Sequence, residues 1–252
     1  MIPIQILRVL STIQQFDVPA LLMGGQACVL YGAAEYSRDL DLAVLATDEG
    51  LPRLTDALRA LDAKVIAVPP FEARYLERGH AVHFSIPDSA SSPLRVDIMS
   101  RMRGVAPFGD LWGRRTSITL PDAEHSVPVT IELLALEDLV SAKKTQRDKD
   151  WPMIRRLVDA SYASARDGEV SQEQVRFWLS ELRTPEFLRE VVSGFPQLAL
   201  EAARPVVVAT IQGGDIGEAL AAEQAREMAT DRIYWAPLRQ ELEALRHEAR
   251  RM

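Results

Sequence analysis

The chain contains little cysteine, no long apolar run and no excess of positive charge. Its single cysteine, Cys28, excludes an internal disulfide, and we expect it to be a small buried apolar residue. No apolar stretch approaches the roughly 18 residues of a membrane span. The start of the chain, Met1 to Gln5, lacks a basic, signal-like region. We therefore expect a cytoplasmic protein that does not bind a membrane.

The charge balance is acidic. The 36 Asp and Glu residues outnumber the 29 Lys and Arg residues, which gives a net charge of −7. Indiscriminate nucleic-acid binding depends mostly on neutralisation of phosphates by Lys and Arg, so the composition argues against it but leaves room for a local basic groove. With 47% hydrophobic residues, no internal repeat and no low-complexity linker, the composition is that of an ordinary globular chain with one large or two small domains.

Two acidic residues at strand spacing, Asp39 and Asp41, are the most informative feature. They lie at the start of an apolar run, 42–45, and residues i and i+2 of a strand project to the same side. Paired carboxylates repel each other unless a cation lies between them, and Mg²⁺ prefers carboxylate oxygens. Asp97, in the apolar run 94–99, would complete a three-carboxylate site for two Mg²⁺ ions. Such a site suits nucleotidyl transfer.

The residues around these carboxylates have two interpretations each. Asp97 has Arg95 on the same face of its predicted strand, so an ion pair is the alternative to metal binding. Gly24 and Gly25 follow the apolar run 19–23. They would place backbone N–H groups against a triphosphate, or would form a strand-to-helix turn without a ligand. Arg38 points away from Asp39 and would either hold the loop or bind a phosphate.

The motif from Met23 to Gly32, followed by Tyr36-Ser-Arg-Asp-Leu-Asp-Leu42, resembles the start of the polymerase-β-type nucleotidyltransferase superfamily. The AbiEii/AbiGii-type proteins are the most similar group. A second stretch, 136–150, resembles the helix that follows the catalytic core of that family. The resemblance implies an NTP substrate, a tRNA acceptor and an antitoxin partner in a toxin–antitoxin or phage-defence pair. It covers residues 19–158 and no later part of the chain.

The second stretch carries basic residues for the triphosphate. Lys143, Arg147 and Asp150 are spaced at i, i+4 and i+7, so one helical face would carry all three. Lys143 and Arg147 would then neutralise charge that develops on the phosphates. The alternative is a solvated helix with local ion pairs, for which Asp148 and Asp150 are available. The spacing does not decide whether Lys143 or Lys144 faces the site.

The hydrophobic pattern predicts an α/β fold in which a mixed β-sheet of the nucleotidyltransferase type is flanked by helices and followed by a helical C-terminal region. We place the nucleotidyltransferase core at 1–132 and the helical region at 133–252. The predicted strands are 19–23, 41–46, 64–68, 81–86, 94–100, 116–120 and 127–131. The predicted helices are 4–16, 26–33, 47–61, 136–145, 151–163, 172–182, 185–193, 198–211, 216–228 and 238–252.

Two weaker features complete the set of candidates. His80 and His83 are three residues apart on a predicted strand, so they lie on opposite faces and do not predict a zinc site. The densest basic cluster would hold an RNA end or would be a solvated surface; it comprises Arg95, Arg101, Arg103, Arg114 and Arg115.

The sequence therefore predicts a Mg²⁺-dependent nucleotidyltransferase that transfers NMP from an NTP to an acceptor hydroxyl. The acceptor is tRNA, a small molecule or a protein. The alternatives are an antibiotic- or protein-modifying nucleotidyltransferase, and a non-catalytic member of the fold that acts as a binding module.

Overall fold

The computed structural model describes residues 2–47, 50–88, 92–120 and 129–251. In these residues, a mixed sheet of seven strands has the order β3-β4-β5-β2-β1-β7-β6. The strands are β1 (Ala20–Met23), β2 (Leu40–Val44), β3 (Lys64–Val65), β4 (Val82–Ile86), β5 (Leu94–Met99), β6 (Thr116–Leu120) and β7 (Val129–Leu133). The pairs β2–β5 and β1–β7 are parallel, and the other neighbours are antiparallel.

The remaining regular elements are helices. They are α1 (Ile4–Gln15), α2 (Gly24–Leu30), α3 (Gly50–Ala60), α4 (Ala73–Arg78), α5 (Phe108–Gly113), α6 (Leu136–Lys143), α7 (Asp150–Ala165), α8 (Gln172–Glu181), α9 (Pro185–Gly194), α10 (Pro196–Glu201), α11 (Pro205–Ile211) and α12 (Ile216–Ala249). The predicted fold class, a mixed α/β sheet flanked by helices and followed by a helical region, is confirmed. No helix within the described residues is both long enough and apolar enough to span a membrane.

The chain forms two compact units. The first comprises Met1–Leu30, Ala34–Leu139 and Trp235–Met252, and it contains the whole sheet. The second comprises Tyr31–Ala33 and Val140–Tyr234 and is helical. The division of the sequence at residue 133 stays a prediction about domains, but the compact units show that the last segment of the chain packs with the sheet.

The core of the first unit follows the hydrophobic pattern. The apolar stripe of α1 is buried, as its spacing predicts, through Ile6, Val9, Leu10 and Ile13. The central strands β1, β2 and β5 bury apolar side chains on both faces or on alternate residues, so their backbones are fixed in register. Cys28 is fully buried on α2, as expected.

Several predicted helix boundaries were wrong. Helix α2 begins at Gly24 itself, because the left-handed φ of that glycine makes the turn within one residue. The short helices α4 and α5 were missed, since six residues carry too little periodicity. The predicted segment 198–211 is two helices, because the extended backbone of Ala202 ends the first and the extended Arg204 before Pro205 starts the second.

The predicted helices 216–228 and 238–252 are one continuous helix, α12, which contains Pro237 in its interior. Residues 48–49 of the predicted helix 47–61 and residues 127–128 of the predicted strand 127–131 lie outside the described residues. The other predicted strands and helices occur within a few residues of their predicted positions.

Candidate active site

A row of polar side chains crosses the middle of the sheet in the first unit. Asp41 of β2 is the register partner of Met23 in β1 on one side and of Asp97 in β5 on the other. Asp97 is in turn the register partner of His83 in the antiparallel strand β4. Cross-strand partners have their side chains on the same face of a sheet, so the register brings Asp41, Asp97 and His83 together.

Asp39 lies one residue before β2 and is exposed, as is Arg38. The loop that carries them is attached to α2. The buried Gln26 side chain donates a hydrogen bond through Nε2 to the carbonyl oxygen of Ser37 at 2.7 Å. Because α2 starts directly after β1, this bond fixes the entry to β2 relative to the neighbouring strand.

The two glycines lie against the same loop and strand. A Cβ on Gly24 would overlap the Asp41 carboxylate, and a Cβ on Gly25 would overlap the Ser37 side chain. The N–H of Gly25 donates to Asp41 Oδ2 at 3.4 Å. Close approach to Asp41 and Ser37 is therefore the physical reason for glycine at both positions. Their contact with a triphosphate stays a prediction.

The Asp97 carboxylate has two strong partners. Arg95 donates from Nε to Oδ1 at 2.9 Å and from Nη2 to Oδ2 at 3.0 Å, and His83 Nδ1 lies 2.8 Å from Oδ1. Because a carboxylate only accepts, His83 Nδ1 donates to it, and the 3.1 Å approach of Arg95 Nη2 to the same nitrogen is then a contact without a hydrogen bond. Burial raises the pKa of Asp97, but the hydrogen bonds from His83 and Arg95 outweigh this effect and leave the pKa below its ordinary value. Asp97 is therefore ionised at neutral pH.

Arg95 lies in the field of all three carboxylates. The hydrogen bonds to Asp97 raise the pKa of Arg95, burial lowers it to a smaller extent, and the charges of Asp39 and Asp41 raise it further. The alternative that the sequence left open for Asp97, an ion pair with Arg95, is thus present in the structure.

The donor atoms suit a divalent cation. Asp41 and Asp97 are hard carboxylate ligands on adjacent parallel strands, with Asp39 two residues before Asp41. As placed, however, Asp97 is engaged by Arg95 and His83. Across residues 2–47, 50–88, 92–120 and 129–251, no group of three or more His, Cys, Asp or Glu side chains is arranged to hold a metal ion. As they are placed, the described residues of this site therefore do not fit a metal ion.

Lys143 and Arg147 belong to the second unit, and their predicted helical face is wrong. Helix α6 ends at Lys143 and α7 begins at Asp150, so Arg147 lies in the connection between them. Both cations converge on the buried Asp150: Lys143 Nζ is 4.0 Å from Oδ1, and Arg147 Nε is 2.7 Å from Oδ2. Lys144 pairs with Glu181 at 2.7 Å. The predicted contact of Lys143 and Arg147 with a triphosphate stays a prediction.

Several arginines of the predicted basic cluster are engaged by hydrogen bonds within the first unit. Arg101 donates a hydrogen bond to the Glu77 carbonyl, Arg114 donates to Asp138, and Arg115 donates to Glu132. These arginines therefore lend no support to an RNA acceptor. His80 lies two residues before β4 and not within it, so the predicted placement of both histidines on one strand is wrong. His80 is fully buried and contacts Glu241 at 2.8 Å.

Sequence reasoning undervalued two residues. His83 was not proposed as a site residue. It contacts Asp97 directly, but only the pairing of β4 with β5, which the sequence does not show, brings the two side chains together. Gln26 was not singled out. The sequence feature that could have identified Gln26 is a polar amide among the apolar residues of a short helix, because a buried polar group needs a specific hydrogen-bond partner.

Comparison with known proteins adds a likeness to solved structures. No protein-family description and no curated protein matches the chain. An antigenic nucleotidyltransferase-like protein from Paracoccidioides brasiliensis is 14% identical, with 83% of this chain and 91% of that chain covered and a TM-score of 0.42. ANT(2")-Ia in complex with adenylyl-2"-tobramycin is 12% identical, with 75% and 92% covered and a TM-score of 0.34. At these identities and TM-scores, neither structure assigns a function to the chain.

Proposed function

We propose that the chain is a nucleotidyltransferase that transfers NMP from an NTP to an acceptor hydroxyl and releases pyrophosphate. The observation that carries this proposal is the register pairing of Asp41 with Asp97 on adjacent parallel strands. The pairing holds two carboxylates side by side, and Asp39 enters the same strand two residues earlier. Phosphoryl chemistry needs such convergent charge because it depends on positioning and electrostatic stabilisation.

Each residue has a proposed role. Asp39 and Asp41 hold Mg²⁺, and Asp97 completes the carboxylate set on the acceptor side once Arg95 has left it. Gly24 and Gly25 let the chain pass close to Asp41 and are proposed to contact the nucleotide phosphates, as is Arg38. Lys143 and Arg147 are proposed to bind the triphosphate. When bound, Mg²⁺ would polarise the phosphoryl oxygens and lower the pKa of a bound hydroxyl.

The acceptor is the open part of the proposal. The resemblance to AbiEii-type proteins favours tRNA, together with a toxin–antitoxin role and an antitoxin partner. An antibiotic or a protein is the alternative acceptor. The hydrogen bonds of Arg101, Arg114 and Arg115 remove one source of support for RNA, because these side chains are already engaged.

A second candidate function has its own supporting observation. In the structure Arg95 and His83 occupy both oxygens of Asp97, which gives this carboxylate a counter-ion without an added metal. A non-catalytic member of the fold would keep this arrangement permanently. It would act as a binding module for a protein or a nucleotide.

The test is transfer of label from NTPs. Purified protein is incubated with Mg²⁺ and each α-³²P NTP in the presence of total RNA, a panel of aminoglycosides, or a protein extract. We expect labelling of one acceptor class, which Asp41→Asn reduces by about 100-fold or more, because a ligand in the charged centre is lost. Asp56→Asn is the matched control, since Asp56 is exposed and pairs only locally with Arg59.

The outcomes separate the two candidates. Labelling that survives in Asp41→Asn would mean that the carboxylate pair is not the active site. No labelling of any acceptor, together with an unchanged thermal stability on addition of NTP and Mg²⁺, would contradict the transferase and favour the non-catalytic binding module.

A further inference from the structure

Arg95 is unusual because its guanidinium binds one of the proposed metal ligands, Asp97. Arg95 and Asp97 are two residues apart on β5 and therefore share one face of the sheet. The bond between them is bidentate, with distances of 2.9 and 3.0 Å, which is the strongest geometry available to an arginine and a carboxylate. Asp41, the register partner of Asp97, lies on the adjacent strand of the same face.

The two partners differ in their freedom to move. The Asp97 side chain is 15% exposed and is held by His83 on its other side, whereas the Arg95 side chain is 46% exposed. Rotation of the long arginine side chain would take its guanidinium into solvent without disturbing the packing of β5. Displacement of Asp97 would instead break its hydrogen bond with His83 and open a buried part of the sheet.

We propose that Arg95 is an intramolecular counter-ion that holds the carboxylate site in a metal-free state, and that a divalent cation binds only by displacing its guanidinium from Asp97. This inference rests on the proposed function, since it concerns the same three carboxylates. A guanidinium on Asp97 repels an incoming dication and occupies the oxygens that the dication requires. In the metal-free arrangement, Asp97 therefore already has a counter-ion.

The consequence is a lowered affinity for metal in the native chain. When a site is competent only in a fraction of the molecules, its apparent affinity falls by that fraction. Removal of the Arg95 charge removes the ion that competes for Asp97. Replacement by methionine keeps the apolar part of the side chain over the strand.

The experiment is a titration of the full chain with Mn²⁺, in which free Mn²⁺ is followed by electron paramagnetic resonance. Wild type, Arg95→Met and the matched control Arg101→Met are compared. Arg101 donates a hydrogen bond to the Glu77 carbonyl and not to a carboxylate of the site, and its replacement by methionine changes the net charge equally. We expect Arg95→Met to bind Mn²⁺ about 10-fold more tightly than wild type. We expect Arg101→Met to differ from wild type by less than about twofold.

Arg95→Lys and thermal unfolding guard against a folding artefact. Lysine keeps the charge but cannot make the bidentate bond, so its Mn²⁺ affinity should lie between those of wild type and Arg95→Met. If Arg95→Met unfolds at a temperature similar to wild type but binds Mn²⁺ no more tightly, the inference is overturned and the proposed transferase is left intact. An absence of Mn²⁺ binding in every variant would overturn both the inference and the proposed metal site.

Discussion

Gly24 lies where the chain leaves β1 and passes beside Asp41. Its φ of +65° is in the left-handed region, and an added Cβ would overlap the Asp41 carboxylate. We expect Gly24→Ala to lower the free energy of unfolding by about 2–4 kcal/mol, because the left-handed backbone costs about 1–2 kcal/mol for alanine and the overlap adds to it. Urea denaturation measures the loss.

Gly104→Ala is the matched control for this prediction. Gly104 has a similar φ of +70°, and a Cβ there would meet no heavy atom of the described chain within 4 Å. Gly104→Ala should lower the free energy of unfolding only by the cost of the left-handed backbone, about 1–2 kcal/mol. Equal losses of unfolding free energy in the two variants would show that the overlap of an added Cβ with Asp41 does not destabilise Gly24→Ala.

The same residues show what a sequence can reveal about a site. Asp39, Asp41 and Asp97 were identifiable because period-two spacing at the edge of apolar runs is a local signal. The contacts of His83 and Arg95 with Asp97 were harder to predict. The first depends on the register of β4 against β5, and the second on which of two possible cations, an arginine or a metal, holds the carboxylate.

At the scale of the elements, a buried ionic cluster joins three parts of the second unit. Glu223 of α12 accepts hydrogen bonds from Arg183, between α8 and α9, and from Arg204, which precedes α11, at 2.8–2.9 Å. Burial raises the pKa of Glu223, but the hydrogen bonds and charges of Arg204 and Arg183 outweigh it and leave the pKa below its ordinary value. The ionised carboxylate therefore stabilises the folded state.

We expect Glu223→Gln to lower the free energy of unfolding by about 3 kcal/mol at pH 7, because two largely buried arginines lose their anion. The folded pKa lies below the unfolded one, so this stabilisation is full above the unfolded pKa and is lost as the pH falls through the folded pKa. Urea denaturation should thus show the difference between wild type and variant narrowing as the pH falls below the ordinary pKa of a glutamate. Glu218→Gln, at an exposed position of the same helix, should change little. A difference that stays constant as the solution is acidified would contradict the assignment.

The helices of this unit also show a limit of local patterns. Helix α12 was predicted as two helices, 216–228 and 238–252, and Pro237, a residue type that ordinarily ends a helix, lies between them. In the structure the helix continues, and Asp231 in that stretch is buried and accepts a hydrogen bond from the N–H of Gln146 at 2.7 Å. A contact between residues so distant in sequence is invisible to a periodicity count.

At the scale of the whole molecule, the sheet-containing unit depends on the last segment of the chain. Glu241, on α12, contacts the fully buried His80 at 2.8 Å and also bonds to Arg78. The nearby Leu238 is buried as well. The first 132 residues therefore do not contain every contact that completes the unit around the sheet.

We expect a chain that ends at Tyr234 to unfold at a lower temperature. The loss of the partner of His80 alone should cost about 1–3 kcal/mol, and the lost apolar burial adds to this cost. Thermal unfolding followed by circular dichroism measures the change. A chain that ends at Arg246 is the control, because residues 247–251 are exposed and its stability should match wild type. Equal stability of all three chains would contradict a structural role for the last segment.

The central claim is that the carboxylates of β2 and β5 catalyse transfer of an NMP group. The most direct measurement compares α-³²P and γ-³²P NTP in the presence of Mg²⁺ and the acceptor that the screen identifies. We predict that label from the α-phosphate reaches the acceptor, that label from the γ-phosphate leaves in pyrophosphate, and that both events require Asp41. Transfer of the γ-phosphate, or transfer of the α-phosphate at the wild-type rate by Asp41→Asn, would contradict the claim.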